Sequence, residues 1–281
     1  MPDTSVIATT HEYAVTESGR LLLDLYRAEG SRAAVILLHG GAWVMGSRSD
    51  YDQRPRGLAE RGVTVASIDY RLAGDAPFPA QRADIESAAA WLIDTGVVDD
   101  PSQIVLMGAS AGAHLAALAL LTSHTRFAGF VGLFGRYDLT ALGDVFQPSG
   151  DLEVPADIRA MRPSARSAHL DLRGRLALLA GVEAAQLDER LLEELSPAAR
   201  ISPGAPPMLL LHGEADAVVH HGHALHFAAR AADAGVACEV ALIPEVNHED
   251  ERYGGDDCLD RVAWFVGKAT SRSTRSKGVR L

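Results

Sequence analysis

The chain has 281 residues, 47% of them hydrophobic and 22% charged, which is the make-up of a globular domain and not of a disordered or fibrous chain. Its formal net charge of −11 repels phosphate backbones and anionic headgroups, so neither nucleic acid nor a membrane surface is an expected partner. Residues 1–10 lack a basic start followed by an apolar stretch, the apolar runs are too short to span a bilayer, and Cys238 and Cys258 read as free thiols; the expected location is therefore cytoplasmic.

Residues 20–27 (RLLLDLYR) alternate in polarity and predict an early antiparallel strand. Residues 33–39 (AAVILLH) form a continuous apolar run, the mark of a strand buried on both faces. The same signal recurs at 63–68, 103–107, 129–134, 208–211 and 238–243. Helical patterns separate these runs: 51–60, closed by Gly62; 79–92; the alanine- and leucine-rich 111–121; 222–234, closed by Gly235; and 259–268. Strands alternating with helices predict one α/β domain over 1–281, with a mostly parallel central sheet and helices on both faces. Right-handed crossovers place the C-terminal strand ends along one rim. Residues 137–202 break the rhythm, and 139–202 are expected to form a small cap or lid insertion with short helices at 157–162 and 186–195. The basic, Ser/Thr-rich residues 269–281 are expected to be a flexible tail.

The chemistry concentrates at the strand ends. Gly108-Ala109-Ser110-Ala111-Gly112 fits G-x-S-x-G, and it lies between a strand pattern and a helix pattern, the context in which a strained turn lifts a nucleophilic serine. His39-Gly40-Gly41-Ala42-Trp43 follows an apolar strand; a Gly-Gly loop lets backbone N–H groups approach a developing oxyanion, and the N–H groups of Gly41, Ala42 and Ala111 are the expected donors. His212-Gly213-Glu214-Ala215-Asp216 follows another strand and Asn247-His248-Glu249 the last one. These motifs suggest Ser110 as nucleophile, His248 as base and Asp216 as the group that orients the base, with Glu214 the competitor for the last role. The order serine, aspartate, histidine along the chain is that of the α/β-hydrolases.

Other polar residues take blander readings. His39 and His114 are expected to make structural hydrogen bonds. The cluster His220, His221, His223 and His226 has no cysteine beside it and is not expected to hold a metal. Glu245, Glu249, Asp250 and Glu251 read as a solvated acidic loop.

Taken together, HGGAW, Asp69-Tyr70-Arg71-Leu72, GASAG followed by AHLA, HGEAD and the Asn-His pair resemble the α/β-hydrolase superfamily over roughly residues 35–265. The resemblance is to the branch near the hormone-sensitive lipases, among small bacterial carboxylesterases and kynurenine-formamidase-like proteins. It implies an α/β-hydrolase fold, ester hydrolysis through an acyl-enzyme, a small-molecule ester or amide substrate, and no metal or organic cofactor. By the same analogy Asp84 supports the architecture of the site, and the insertion shapes the pocket, with Phe146, Met161, Leu170, Leu187 and Leu191 as apolar candidates that serve equally well as cap core. Trp43 either walls the pocket or packs the oxyanion loop. Three rivals stand beside the esterase: an arylformamidase, a biosynthetic acyltransferase or cyclase, and a non-catalytic ligand receptor. Oligomeric state, a homodimer included, is left open.

Overall fold

The computed structural model describes residues 6–140 and 170–276. Among them eight strands build one sheet: β1 (Ala8–Thr16), β2 (Gly19–Tyr26), β3 (Ala34–Leu38), β4 (Thr64–Ile68), β5 (Ile104–Ala109), β6 (Gly129–Leu133), β7 (Met208–Gly213) and β8 (Cys238–Ile243). Their spatial order is β1-β2-β4-β3-β5-β6-β7-β8. β1 and β2 run antiparallel to their neighbours, and every pairing from β4 to β8 is parallel. β3 to β7 are buried at every position because both faces of these strands are covered, and their residues are accordingly mostly apolar.

Successive side chains of each strand enter different cores, as the two-residue pleat requires. Ala34, Ile36 and Leu38 of β3 join one cluster, while Val35 and Leu37 join the other. The first cluster is closed by α2 (Ala80–Asp94), α3 (Ala111–Thr122) and α6 (Gly222–Asp233), and the second by α1 (Gln53–Glu60) and α7 (Asp256–Ser276). Residues 111–120 of α3 are all buried; its alanines let the helix lie close to β5 and β6, which fixes the position of whatever precedes its first turn.

Four elements differ from the sequence reading. β1 was not anticipated, because its residues are mostly part-exposed at the sheet edge and it carries no apolar run. β8 is not buried on both faces: it is the opposite edge, and its outer residues are half-covered. α7 extends beyond 259–268 at both ends, so that 269–276, expected in the tail, are helical; Ala269 is buried and Thr270 donates its hydroxyl to the Val266 carbonyl at 2.9 Å. Between β6 and β7, α4 (Leu172–Ala180) was missed. It is capped by Asp171, whose carboxylate accepts from Gly174 N at 2.8 Å, and it ends on Gly181 with φ of 71°. The expected helix at 186–195 is α5 (Glu189–Glu194), preceded by a 3-10 turn at Ala184–Gln186. The helix expected at 157–162, with Phe146 and Met161, lies outside the described residues.

Candidate active site

Ser110 occupies the one-residue turn between β5 and α3, with φ of 52° and ψ of −118°. An L-residue there is strained by roughly 1–3 kcal/mol, and the surroundings must hold it in place. Its N–H donates to the Leu133 carbonyl at 2.9 Å, and its carbonyl accepts from His114 N at 3.1 Å. The flanking glycines are required sterically. A Cβ on Gly108 would run into the backbone of Gly112, and one on Gly112 would run into the carbonyls of Leu38 and His39. G-x-S-x-G is therefore a packing rule here: strand, turn and helix approach too closely for a side chain at either glycine position.

β7 and β8 deliver the two partners to the same rim. His248 Nε2 lies 3.0 Å from Ser110 Oγ, and its Nδ1 lies 2.8 Å from Asp216 Oδ2. The other Asp216 oxygen accepts from Val218 N and Val219 N, each at 2.8 Å. Burial alone would raise the Asp216 pKa, but hydrogen bonds from His212 and His248 outweigh it and hold the carboxyl well below the usual carboxylate range. It is therefore ionised and can accept from His248 Nδ1–H, which leaves Nε2 as acceptor for the serine proton. Asn247 ties the two loops together, its Oδ1 accepting from Ala217 N at 3.0 Å and His248 N at 2.7 Å. Among the described residues Glu214 makes no contact with His248; it is Asp216 that lies against the imidazole.

His212 is a further member that the sequence reading passed over. Fully buried at the end of β7, it sits with Nε2 2.8 Å from the Val219 carbonyl and 3.3 Å from Asp216 Oδ2. One Nε2–H forked between the two acceptors braces the same carboxylate oxygen that His248 contacts. The signal was in HGEAD, where a histidine ends a strand buried on both faces.

The loop after β3 has four residues at positive φ: Gly41 at 114°, Ala42 at 48°, Trp43 at 66° and Gly46 at 101°. Gly41 cannot be replaced, since a Cβ would enter the Met45 carbonyl, and its own carbonyl accepts from Val44 N and Met45 N. Among the described residues no acceptor takes the N–H of Gly41, Ala42 or Ala111. Trp43 turns inward. Its Nε1 donates to His114 Nδ1 at 3.1 Å, and His114 Nε2 donates to the Leu195 carbonyl at 2.8 Å. Trp43 thus packs the loop and does not wall the cavity. His114 is neutral, its pKa lowered by burial to about 4. His39 is likewise structural: its Nδ1 contacts the Gly40 carbonyl at 2.7 Å, and its ring stacks on Tyr70, whose hydroxyl donates to the His39 carbonyl at 2.8 Å. Asp84 anchors this support, accepting from Arg71 N at 2.8 Å and Arg71 Nη2 at 2.6 Å.

A cavity of about 150 Å³ opens at Ser110, lined by Gly41, Ala42, Met45, Arg175, Val218, His248 and Glu249. One of these corrects the sequence reading. Glu249 is not part of a solvated loop: its side chain is 9% exposed, it accepts from Tyr51 Oη at 2.6 Å and it pairs with Arg54 at 3.1 Å. Arg175, on α4, belongs to none of the sequence motifs. Leu187 is buried in the core and Leu191 packs against it, while Leu170 touches α4; none of the three lines the cavity. Among the described residues no group of three or more His, Cys, Asp or Glu is placed to hold a metal, and no helix is long and apolar enough to cross a membrane.

A serine bonded to a histidine, itself bonded to a buried carboxylate, on the C-terminal rim of an eight-stranded sheet defines the α/β-hydrolase class. The chain belongs to the BD-FAE family, whose model matches residues 23–230. It is 30% identical over 249 residues to Esterase LipQ of Mycobacterium tuberculosis, covering 81% of this chain and 53% of the relative. It is 27% identical over 276 residues to isoprenylcysteine alpha-carbonyl methylesterase ICME of Arabidopsis thaliana, covering 87% of this chain and 58% of the relative. The chain thus spans about half the length of the curated relatives it matches. A solved structure, a truncated carbohydrate esterase from gut microbiota, has the same fold, with a TM-score of 0.73 at 20% identity over 96% of this chain and 99% of that one.

Proposed function

We propose that this chain hydrolyses carboxylic esters of small molecules through an acyl-enzyme on Ser110. The observation that carries the reading is the unbroken relay from Ser110 Oγ through His248 to the buried, ionised Asp216, set beside unengaged backbone N–H groups. In the reaction, His248 Nε2 takes the Ser110 proton as Oγ attacks the ester carbonyl. The tetrahedral oxyanion is held by the N–H groups of Gly41, Ala42 and Ala111, already aligned before the charge develops. His248, now an imidazolium stabilised by Asp216, gives the proton to the departing alkoxide and the alcohol leaves. Water, deprotonated by the same nitrogen, then attacks the acyl-enzyme and releases the acid. The chemistry needs no cofactor. Relatives named as esterases support the reaction class, and a cavity of about 150 Å³, the size that accommodates roughly a benzene ring, favours short acyl groups.

The test is a panel of p-nitrophenyl esters from acetate to decanoate, with wild type beside Ser110→Ala. The expected result is turnover that peaks between acetate and butyrate and falls by about 10⁴-fold or more in the variant, whose circular dichroism is unchanged. Undiminished turnover in Ser110→Ala, or none on any ester by a folded wild type, overturns the reading.

A further inference from the structure

Arg175 is out of character with the rest of the Ser110 cavity. The lining residues Gly41, Ala42, Met45 and Val218 carry no charge, and the lining carboxylate of Glu249 is already neutralised by Arg54 and bonded by Tyr51. The guanidinium of Arg175 is therefore the cavity's net charge. It stands on a fixed base: Leu176 and Leu179, beside and one turn beyond it, are fully buried in the core, and Asp171 and Gly181 cap the helix at its two ends. Its Nε donates to the Leu170 carbonyl at 3.1 Å, which orients the side chain from behind. Among the described residues its two terminal nitrogens have no hydrogen-bond partner, and no carboxylate pairs with it.

A guanidinium held at Nε and open at its end presents the fork that matches a carboxylate. The chain as a whole is strongly acidic, so its far field repels anionic substrates. That field is screened within about 8 Å at physiological salt, whereas a cation on the cavity wall acts at contact distance. Such a cation is of no use to a neutral alkyl ester and would be left desolvated by one.

We infer that the preferred substrates of this site are esters that carry a carboxylate close to the scissile carbonyl, with Arg175 as the residue that selects them. The inference rests on the hydrolase reading above and adds the substrate's charge. Arg175 takes no part in the bond changes at Ser110. It lowers the free energy of the bound anionic ester through a charge-assisted pair, an effect of about tenfold or more in kcat/KM.

Two matched pairs of esters test it: monomethyl succinate against methyl butyrate, followed by pH-stat titration, and 4-carboxyphenyl butyrate against phenyl butyrate. The first pair places the charge in the acyl half, the second in the leaving alcohol. Arg175→Gln should lower kcat/KM for the charged member of one pair by at least about tenfold, through KM, and leave the neutral esters within about threefold. Arg175→Lys should restore a large part of the preference. Added sodium chloride should depress the charged ester and spare its neutral partner in wild type, and lose that selectivity in Arg175→Gln. Equal losses on charged and neutral esters, or no loss on either charged ester, would overturn the inference while leaving the hydrolase standing. A folded wild type inert on all four would take down the hydrolase reading, and this one with it.

Discussion

Glu249→Gln is the perturbation that most directly examines how the base loop and the oxyanion loop are kept in register. Glu249 and Arg54 are 9% and 7% exposed at their side chains, and Arg54 Nη1 is buried without a hydrogen-bond partner of its own, so the ion pair is the main compensation for a desolvated guanidinium. Removing one partner of a buried pair costs about 3–5 kcal/mol; the amide retains a hydrogen bond to Tyr51, which puts the expected loss at about 2–4 kcal/mol. For a chain of this length that is roughly 4–8 °C in melting temperature. Activity should suffer separately. Tyr51 Oη donates to Glu249 and accepts from Gly40 N at 3.3 Å, so Glu249 holds the residue next to Gly41 by way of one phenol. Loosening it should lower kcat by about tenfold with KM nearly unchanged, because an oxyanion donor matters most in the transition state. The assay is thermal unfolding with ester kinetics on Glu249→Gln, Arg54→Met and the double variant. With both charges gone the double should recover about 2 kcal/mol relative to the sum of the singles. A Glu249→Gln variant that melts within about 1 °C of wild type, or a strictly additive cycle, would refute the idea that this pair carries the junction.

Acid should destabilise the fold before the carboxylates titrate. His114, with its pKa pushed by burial to about 4 against about 6.5 in the unfolded chain, refuses a proton that the unfolded state accepts, so stability falls with pH between those values by about 1.4 kcal/mol per unit, or about 2 kcal/mol from pH 6.5 to 5. Buried His39 and His223 are shifted the same way. Melting curves from pH 7 to 5 should show at least this slope, and His114→Gln should reduce it by the share of His114; a flat wild-type profile would contradict the neutral, buried assignment. Asp216, shifted in the opposite sense, contributes stability that is present above about pH 4 and lost only below it. Asp216→Asn should keep the fold and lower kcat by about 10⁴-fold, since an amide cannot hold Nδ1 protonated with the same tautomer; less than tenfold would reassign the orienting role. Gly112→Ala should fail to accumulate as folded protein, because its methyl meets backbone on β3 and not a side chain that can yield; a well-folded variant of wild-type stability would show the turn to be looser than described.

What could be read from the sequence, and what could not, divides along the range of the interactions involved. β3 to β7 were legible because a strand covered on both faces is mostly apolar along its whole length, and that pattern is local. The same rule misplaced β8: CEVALI is apolar enough for an interior strand, and only the order of the sheet, which no short window contains, makes it an edge. β1 was invisible for the converse reason: within ATTHEYAVT only Tyr13 is buried, which makes no apolar pattern, and its pairing comes from β2 across a tight turn. α4 hid because Arg173, Gly174 and Arg175 interrupt its apolar spacing. Ser110, Asp216 and His248 could be proposed together from sequence because each follows a strand within a few residues, on the rim that parallel strands share. Glu249 stands one residue from His248, yet its environment is set by Tyr51 and Arg54, nearly 200 residues earlier in the chain; its charge made it look solvated, and only the fold supplies the partner that makes its burial affordable. Arg175 follows the same logic with the opposite outcome. The fold brings it to the cavity and provides no anion among the described residues, and a charge that tertiary structure leaves without its complement is where a substrate's charge belongs.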